Sequence, residues 1–179
     1  MCCKWYAIET KKDKELDTLN LINLILEKSN EKSYKILLPK RIIFERKKGK
    51  KVETTRYLIP KIVFVKVDDI KKIYNAINEL NYDLLEDNSK PMEVKDEEMH
   101  IILQLINESD IIGVSSGIKI GTKVKIIDGP LKDFKGVIEE IDNRKGRAKI
   151  RLILSGNVYF VDLGIFVGED VNQLLEMRS

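Results

Sequence analysis

Six basic side chains in the last third of the sequence have the types and spacing to bind phosphate groups. They lie between Gly121 and Leu152, where apolar and cationic residues alternate, and they are Lys132, Lys135, Arg144, Lys145, Arg147 and Arg151. Lysine and arginine side chains neutralise phosphates, and arginine also reads base edges. The formal net charge of the 179 residues is only +3. Contact with nucleic acid therefore depends on local patches of this kind.

A second group of candidate nucleic-acid ligands occurs on two predicted helices of the first half. It comprises Lys11, Lys12, Lys71, Lys72, Asn75 and Asn78. Asparagine amides add the capacity to hydrogen-bond to base edges. A further basic run, "ERKKGKK", stands between two predicted strands, and a charged tip of this kind is typical of a solvated turn.

The residues that most enzymes need are scarce in this chain. His100 is the one histidine and falls on a predicted helix beside Glu97 and Glu98, while the only cysteines are the neighbours Cys2 and Cys3. No nucleophile motif, glycine-rich phosphate loop or metal-ligand spacing is present. The sequence therefore predicts a protein that is not an enzyme and that uses no cofactor and no metal.

The elements that position the first group of residues form an α+β arrangement over residues 1–106. Apolar periodicity predicts a strand, a helix, a hairpin, a second helix, a short strand and a last helix, over 5–8, 12–28, 34–44 with 52–67, 70–80, 82–85 and 95–106. Asp68 and Asp69 are candidate caps of the second helix. This order predicts an α/β sandwich with one antiparallel sheet.

The remainder of the chain predicts a flexible linker and a small β-barrel. Residues 107–117, "NESDIIGVSSG", lose periodicity and collect serine, glycine and aspartate. In residues 118–179 apolar and charged side chains alternate with the period of a strand, and Ile150, Leu152 and Leu154 alternate with Lys149 and Arg151. Turns at "DGP", "DFKG", "NRKG" and "LSGN" break the pattern, which favours a small closed barrel.

Hydropathy and cysteine usage predict a monomeric cytoplasmic protein with no membrane partner. No apolar run approaches the ~18–20 residues that span a bilayer, and the N-terminus lacks the basic start and apolar stretch of a signal peptide. Two adjacent cysteines cannot staple a fold, which favours a reducing compartment.

The stretch "VKIIDGPLKDFKGVIEEID" resembles a KOW motif, in which a basic strand precedes Asp-Gly-Pro and a fixed glycine, here Gly136. A tight barrel corner favours a residue without a side chain. By itself the resemblance implies a protein that binds RNA or associates with RNA, and an RNA-binding protein of the ribosomal KOW type is one reading.

Three N-terminal segments, "WYAIET", "ILLPKRIIFERKKGKKVETTRYLIPKIVFVKV" and "PMEVKDEEMHIIL", resemble in order and spacing the N-terminal domain of the NusG family of transcription elongation factors. With the KOW barrel, the resemblance covers nearly the whole chain. It implies a factor that binds the clamp helices and gate loop of RNA polymerase and alters pausing or termination. Lys71 and Lys72 lie where family members face the upstream DNA fork and the gate loop.

The polymerase-contact segment of the family reads Leu-Phe-Pro-Gly-Tyr-Val-Leu-Val, and residues 58–65 here read Leu-Ile-Pro-Lys-Ile-Val-Phe-Val. The resemblance implies a polymerase-binding set made of Trp5, Ile59, Pro60, Ile62 and Phe64. The alternative is that these residues belong to the core, because a nearly continuous apolar strand is normally covered on both faces.

The turn Leu154-Ser155-Gly156 corresponds to an Ile-Phe-Gly turn whose aromatic engages ribosomal protein S10 or the Rho terminator in the family. Serine offers little apolar area for such a contact, so S10 and Rho are doubtful partners. The chain thus looks most like a specialised paralog of the LoaP or RfaH kind, which promotes processive antitermination of specific operons. Its recruiting signal is nascent RNA, such as a hairpin, or non-template DNA; a housekeeping NusG is the alternative.

Overall fold

The computed structural model describes residues 3–29, 33–80, 83–87 and 89–178. The elements in chain order are β1 (Lys4–Glu9), α1 (Glu15–Lys28), β2 (Lys35–Leu37), β3 (Lys40–Lys47), β4 (Lys50–Tyr57), β5 (Ile62–Val67), α2 (Ile70–Glu79), β6 (Met92–Val94), α3 (Asp96–Leu105), β7 (Ile111–Ile112), β8 (Ser115–Ile120), β9 (Lys123–Asp128), β10 (Val137–Asp142), β11 (Arg147–Leu154), β12 (Asn157–Gly168) and α4 (Val171–Arg178). They confirm the predicted α+β class.

The chain forms two compact units, one of Met1–Leu38 with Ile59–Met99 and the other of Pro39–Leu58 with His100–Ser179. In the first unit an antiparallel sheet has the strand order β2-β5-β1-β6. Helix α1 contacts both α2 and β5. The largest side chains that this unit buries completely are Phe64, Ile8, Ile22, Leu37, Ile73, Ile77 and Met99.

The helices of the first unit largely follow the sequence. Helix α2 is capped as expected by Asp69, whose carboxylate accepts a hydrogen bond from the Lys71 backbone N–H at 3.0 Å. Helix α1 begins three residues later than predicted, because Asp13 has a left-handed φ of 61° that no helix continues through.

The short strands of this unit differ from the predicted ones. Of the strand predicted over 82–85, the described residues 83–85 contain an isolated bridge, between Leu85 and Thr10. Strand β6 was not predicted, although it pairs with β1. Cys2 and Tyr82, which entered the predictions, lie outside the described residues.

The second unit contains the predicted basic hairpin, made of β3 and β4. Lys47 pairs with Lys50, so Lys48 and Gly49 form a two-residue turn, with φ values of 49° and 80°. The other edge of β3 pairs in parallel with β7.

Part of the predicted linker, residues 107–117, has regular structure. Strand β7 and the start of β8 lie within it. The Asn107 side chain accepts hydrogen bonds from the backbone N–H groups of Ser109 and Ile111, which fixes the turn before β7. The bounds 1–106, 107–117 and 118–179 stay predictions.

The second unit also holds a five-stranded sheet in the order β10-β11-β12-β8-β9, consistent with the KOW barrel. Its neighbours pair antiparallel except β12 and β8, which pair in parallel. The predicted alternation is present on β11, where Ile150, Leu152 and Leu154 are buried and Arg151 and Ile153 are exposed. The C-terminal helix α4 was not predicted.

Gly136 occupies the position before β10 for a steric reason. A Cβ atom there would collide with the ring of Phe134. A larger residue there would therefore have to displace the Phe134 ring, so the close approach of that ring favours a glycine.

Candidate nucleic-acid interface

The five residues predicted to bind polymerase are mostly inside the chain. Trp5, Ile59, Ile62 and Phe64 are buried, and Pro60 alone is exposed. Strand β5 lies between β2 and β1, and its apolar residues are buried on both faces. This geometry agrees with the core alternative that the sequence left open. The assignment of these residues to polymerase contact stays a prediction, and Pro60 is the member of the set that offers its side chain to a partner.

Lys61 keeps a glycine-like backbone at the position where the family segment has glycine. Its φ is 66°, and its backbone N–H donates to Glu15 Oε1 at 2.9 Å. Its ammonium group binds Glu86 Oε1 at 2.5 Å, and this hydrogen bond raises the pKa of Lys61. Glu15 is itself buried. The two carboxylates hold the turn before β5 in a conformation that lysine adopts at a cost.

The candidate residues on helix α2 share one exposed face. Lys71, Lys72, Asn75 and Asn78 are all exposed, with spacings that place them on neighbouring turns. The structure therefore keeps these four side chains together and accessible, as a nucleic-acid ligand set requires.

The other two candidates of the first unit, Lys11 and Lys12, precede helix α1 rather than lie in it. The Lys11 ammonium hydrogen-bonds Asp83 and lies 3.7 Å from Asp87. The bond to Asp83 raises the pKa of Lys11. Lys12 is exposed. Of the two, Lys12 is thus the one that forms no ion pair in the described part of the chain.

The six cations of the barrel fall into two groups. Lys145, Arg147 and Arg151 form ion pairs with Asp142, Asp162 and Glu139, with N–O distances of 3.2, 3.2 and 3.0 Å. The backbone N–H of Lys145 also donates to Asp142 and holds the pKa of that carboxyl below its usual value. Within the described residues Lys132, Lys135 and Arg144 are exposed and have no carboxylate partner. These three are the strongest candidates for binding phosphate.

Within the second unit, strand β3 of the hairpin packs on strand β12 of the barrel. The Arg147 guanidinium donates from Nη2 to the Phe44 carbonyl at 3.1 Å, and Arg41 donates from Nη1 to the Asp162 carbonyl. The rings of Phe44 and Phe166 lie 4.8 Å apart between centroids. Burial lowers the pKa of Arg41. This contact is not predictable from local sequence patterns, because it depends on residues more than a hundred positions apart.

A basic cleft of about 590 Å³ opens between the hairpin and the β10–β11 turn. Its lining consists of Phe44, Glu45, Arg46, Gly49, Lys51, Arg144, Lys145 and Arg147. The Arg56 guanidinium binds the Glu45 carboxylate at 2.9 Å, and this hydrogen bond lowers the pKa of Glu45. Arg46 and Lys51 were absent from the predicted site, because the run "ERKKGKK" was interpreted as a solvated turn.

The structure is that of an α+β protein with basic surface patches and a KOW-type barrel in its second unit. Comparisons with known proteins identify the same class of protein. The family model described as "Transcription termination factor nusG" matches residues 3–103, and the KOW motif matches residues 120–151. Since the first match covers more than half of the chain, the protein belongs to the NusG family of transcription termination factors.

Relatives match along most of their length. "Transcription termination/antitermination protein NusG" of Campylobacter jejuni is 26% identical over 157 residues, which cover 86% of this chain and 89% of the relative. The protein of that name from Pseudomonas aeruginosa is 26% identical, covering 91% of this chain and 96% of the relative. A solved structure titled "Domain interaction in Thermotoga maritima NusG" is 27% identical, covers 90% of this chain and 93% of its own, and has a TM-score of 0.47.

Neither a membrane-spanning helix nor a cluster of potential metal ligands occurs among the described residues. None of the helices in this part of the chain is long and apolar enough to cross a membrane. Histidine, cysteine, aspartate and glutamate residues nowhere form, within the same residues, a group of three that could hold a metal ion.

Proposed function

We propose that this protein is a transcription elongation factor that binds RNA polymerase and promotes processive antitermination of specific operons, recruited by an RNA hairpin. The observation that carries the choice of RNA is the set of uncompensated, exposed cations Lys132, Lys135 and Arg144 on the loops of the barrel. Structured RNA offers its shape and its phosphates to such a surface, and looped-out bases add sequence preference. Membership of the NusG family supports the role in transcription. The protein acts by binding and not by catalysis.

Ser155 supports a specialised role over a general one. It is exposed in a turn with a left-handed φ of 51°, followed by Gly156 with a φ of 80°. Serine itself adds little apolar area to this turn, so the aromatic contact of the family is missing at this position, although Ile153, Val158 and Phe160 beside the turn are exposed. Loss of that contact leaves the barrel available for RNA.

The experiment measures binding of the purified protein to leader RNA of a candidate operon, to scrambled RNA and to the matching non-template DNA strand. A double variant, Lys132→Glu with Lys135→Glu, removes two of the proposed contacts. The double variant Lys35→Glu with Lys90→Glu is the matched control, because these exposed lysines of the first unit belong to neither group of candidate ligands. We expect the double variant to weaken leader binding and reduce readthrough in transcription assays, while the control binds like the parent.

Salt dependence gives a second readout of the same contacts. If about three cations touch phosphate, the logarithm of affinity falls with the logarithm of salt at a slope of roughly −2 to −3. Preference for the DNA strand would assign recruitment to the exposed face of α2. Equal weak binding to all three nucleic acids would contradict recruitment by a specific signal.

A housekeeping NusG is the second candidate, and the names of the relatives favour it, since each is called a termination/antitermination protein and aligns along most of this chain. Binding of the parent protein to purified ribosomal protein S10 or to Rho decides between the two. We expect no binding by the parent and a gain of binding in Ser155→Phe. Firm binding by the parent would establish the housekeeping role.

A further inference from the structure

The cleft between the hairpin and the β10–β11 turn has an unusual charge balance. Five of its lining side chains are cationic and one, Glu45, is a carboxylate. Glu45 already accepts hydrogen bonds from Arg56 through both of its oxygens, at 2.9 and 3.1 Å. Among the described residues, Arg46, Lys51 and Arg144 have no carboxylate partner. These three of the five cations that face the cleft are thus left without matching negative charge.

Lys51 is the central cation of the cleft. Its side chain is exposed overall, but its ammonium lies 4.2 Å from the centre of the Phe44 ring and 5.5 Å from that of Phe166. Desolvation lowers the pKa of Lys51. The π faces of the two rings attract the ammonium group, but the group loses part of its hydration beside them. A nearby anion would offset the free energy of this lost hydration.

The β10–β11 turn leaves space for the Lys51 ammonium group beside Gly146. Gly146 has a φ of 66°, and a Cβ atom there would come within 2.7 Å of Lys51 Nζ and 2.9 Å of the Phe44 ring. Only glycine therefore lets the hairpin cation approach the turn that carries Arg144 and Lys145. Next to it, the Arg147 Nε atom is buried without a hydrogen-bond partner.

We propose that this cleft is a binding site for a polyphosphate group, supplied by a free nucleoside polyphosphate or by the 5′-triphosphate end of an RNA chain. Its volume of about 590 Å³ falls in the range of roughly 300–1,000 Å³ that is typical of small-molecule sites. Several cations converge on one concave space, which suits a compact anion of high charge. Phosphates spaced along a helix instead require cations spread over a surface.

The residues that line the cleft also disfavour apolar groups in the ligand. Phe44 is the one apolar side chain of the lining, and Lys51 covers its ring. An apolar ligand would therefore displace water from charged groups without replacing their hydrogen bonds. Guanidinium groups of Arg46 and Arg144 can each donate two hydrogen bonds to phosphate oxygens.

Polyphosphate binding at this site does not depend on recruitment by an RNA hairpin. Lys132 and Lys135, two of the three cations that carry that proposal, do not line the cleft, whereas the third, Arg144, does. Loss of hairpin-RNA binding in their double variant, with retained polyphosphate binding, would separate the two surfaces.

The test is calorimetric titration of the full chain with inorganic tripolyphosphate, with ATP in the absence of magnesium, and with a short RNA carrying either a 5′-triphosphate or a 5′-hydroxyl. The variants are Lys51→Gln and Arg144→Gln, and Lys125→Gln is the control because it removes an exposed barrel cation that neither lines the cleft nor belongs to the proposed RNA contacts. Arg144 is an exposed turn residue. Its replacement tests the site even where Lys51→Gln disturbs the packing of the hairpin.

We expect saturable binding of tripolyphosphate by the parent, a loss of roughly tenfold or more in both cleft variants, and no change in the control. ATP binding as tight as that of the triphosphorylated RNA identifies the free nucleotide as the source. Tighter binding of the triphosphorylated RNA than of ATP or 5′-hydroxyl RNA identifies the RNA end. Absence of saturable binding, or an equal loss of affinity in all three variants, would contradict a specific binding site in the cleft. Either result would mean that the anions are held only as diffuse counterions.

Discussion

Strands β5 and β11 both carry many branched apolar side chains, yet they are covered in different ways. On β5, Ile62, Val63, Phe64 and Val65 are buried in succession, so both faces of the strand lie in the core. On β11 burial alternates, with Leu152 buried and Ile153 exposed. A substitution on β5 therefore disturbs packing at every position, whereas on β11 alternate positions are open to change.

The largest expected effect compares an isoleucine on each strand. Ile62 is 5% exposed and Ile153 is 49% exposed. Ile62→Asp removes buried apolar area and buries a carboxylate, so we expect a loss of roughly 3–5 kcal/mol in the free energy of unfolding. Ile153→Asp is the matched control and should change that free energy by less than about 1 kcal/mol.

Urea denaturation of the full chain provides both values. Similar stability of the Ile62 variant and the parent would show that β5 presents a surface, and would favour its use in polymerase contact. For the same reason, loss of polymerase binding in Ile62→Asp has meaning only where the variant is shown to be folded.

A second comparison lies within β11, between two arginines on its outer face. Arg147 donates to the Phe44 carbonyl and pairs with Asp162, whereas Arg151 pairs only with Glu139 at a more exposed position. We expect Arg147→Ala to cost about 1–3 kcal/mol, because it leaves a buried carbonyl and a carboxylate without a partner. Arg151→Ala should cost about 0–1 kcal/mol.

Thermal unfolding of the two variants measures this difference. A double-mutant cycle with Asp162→Ala isolates the Arg147–Asp162 pair from the other contacts. Equal destabilisation by the two alanine variants would mean that the hairpin contributes nothing to the environment of Arg147.

The turn before β5 supplies a third, smaller comparison, between two replacements of Lys61. Both Lys61→Ala and Lys61→Gly remove the ion pair with Glu86, but only glycine adopts a φ of 66° without strain. We therefore expect the glycine variant to be more stable than the alanine variant by about 1 kcal/mol in chemical denaturation. Greater stability of the alanine variant would exclude backbone strain at this turn.

The smallest expected effect concerns acid. The pKa values of Glu45 on the hairpin and Asp142 on the barrel are both lowered, so each carboxylate stabilises the fold above its unfolded pKa and loses that contribution as the pH falls through its folded pKa. Stability should thus decline below pH of about 4, the ordinary range of these groups. In Glu45→Gln and Asp142→Asn the decline should be shallower, as followed by thermal unfolding across pH. An unchanged profile in both variants would assign the acid sensitivity to other carboxyl groups.

The elements that the sequence predicted correctly are those whose apolar residues recur with a regular helix or strand period. Elements without such a period were missed. The alternation on β11 and the cap of α2 by Asp69 were predictable, because each depends on residues close in sequence. The continuous apolar run of β5 has no period, so which of its residues are exposed could not be deduced. Only pairing with strands on both sides, set by distant residues, decides that they are buried.

The predicted linker illustrates a different limit. Ser115 was taken as a sign of solvated chain, yet it is 1% exposed, and its hydroxyl accepts a hydrogen bond from the Leu131 backbone N–H at 3.0 Å. A small polar residue can replace an apolar one in a core when such a donor is at hand. The cleft was missed for a related reason, because its cations come from two turns that only the folded chain brings together.

The contact between Arg41 and Asp162 joins residues 121 positions apart. At synthesis rates of about 5–20 residues per second, the hairpin is therefore synthesised roughly 6–24 s before the strand that will cover Phe44. During that interval an aromatic side chain on an uncovered strand is open to association with other nascent chains. The lysines that crowd the tip from Lys47 to Lys51 act as gatekeepers, since their mutual repulsion opposes such association until the last strand arrives.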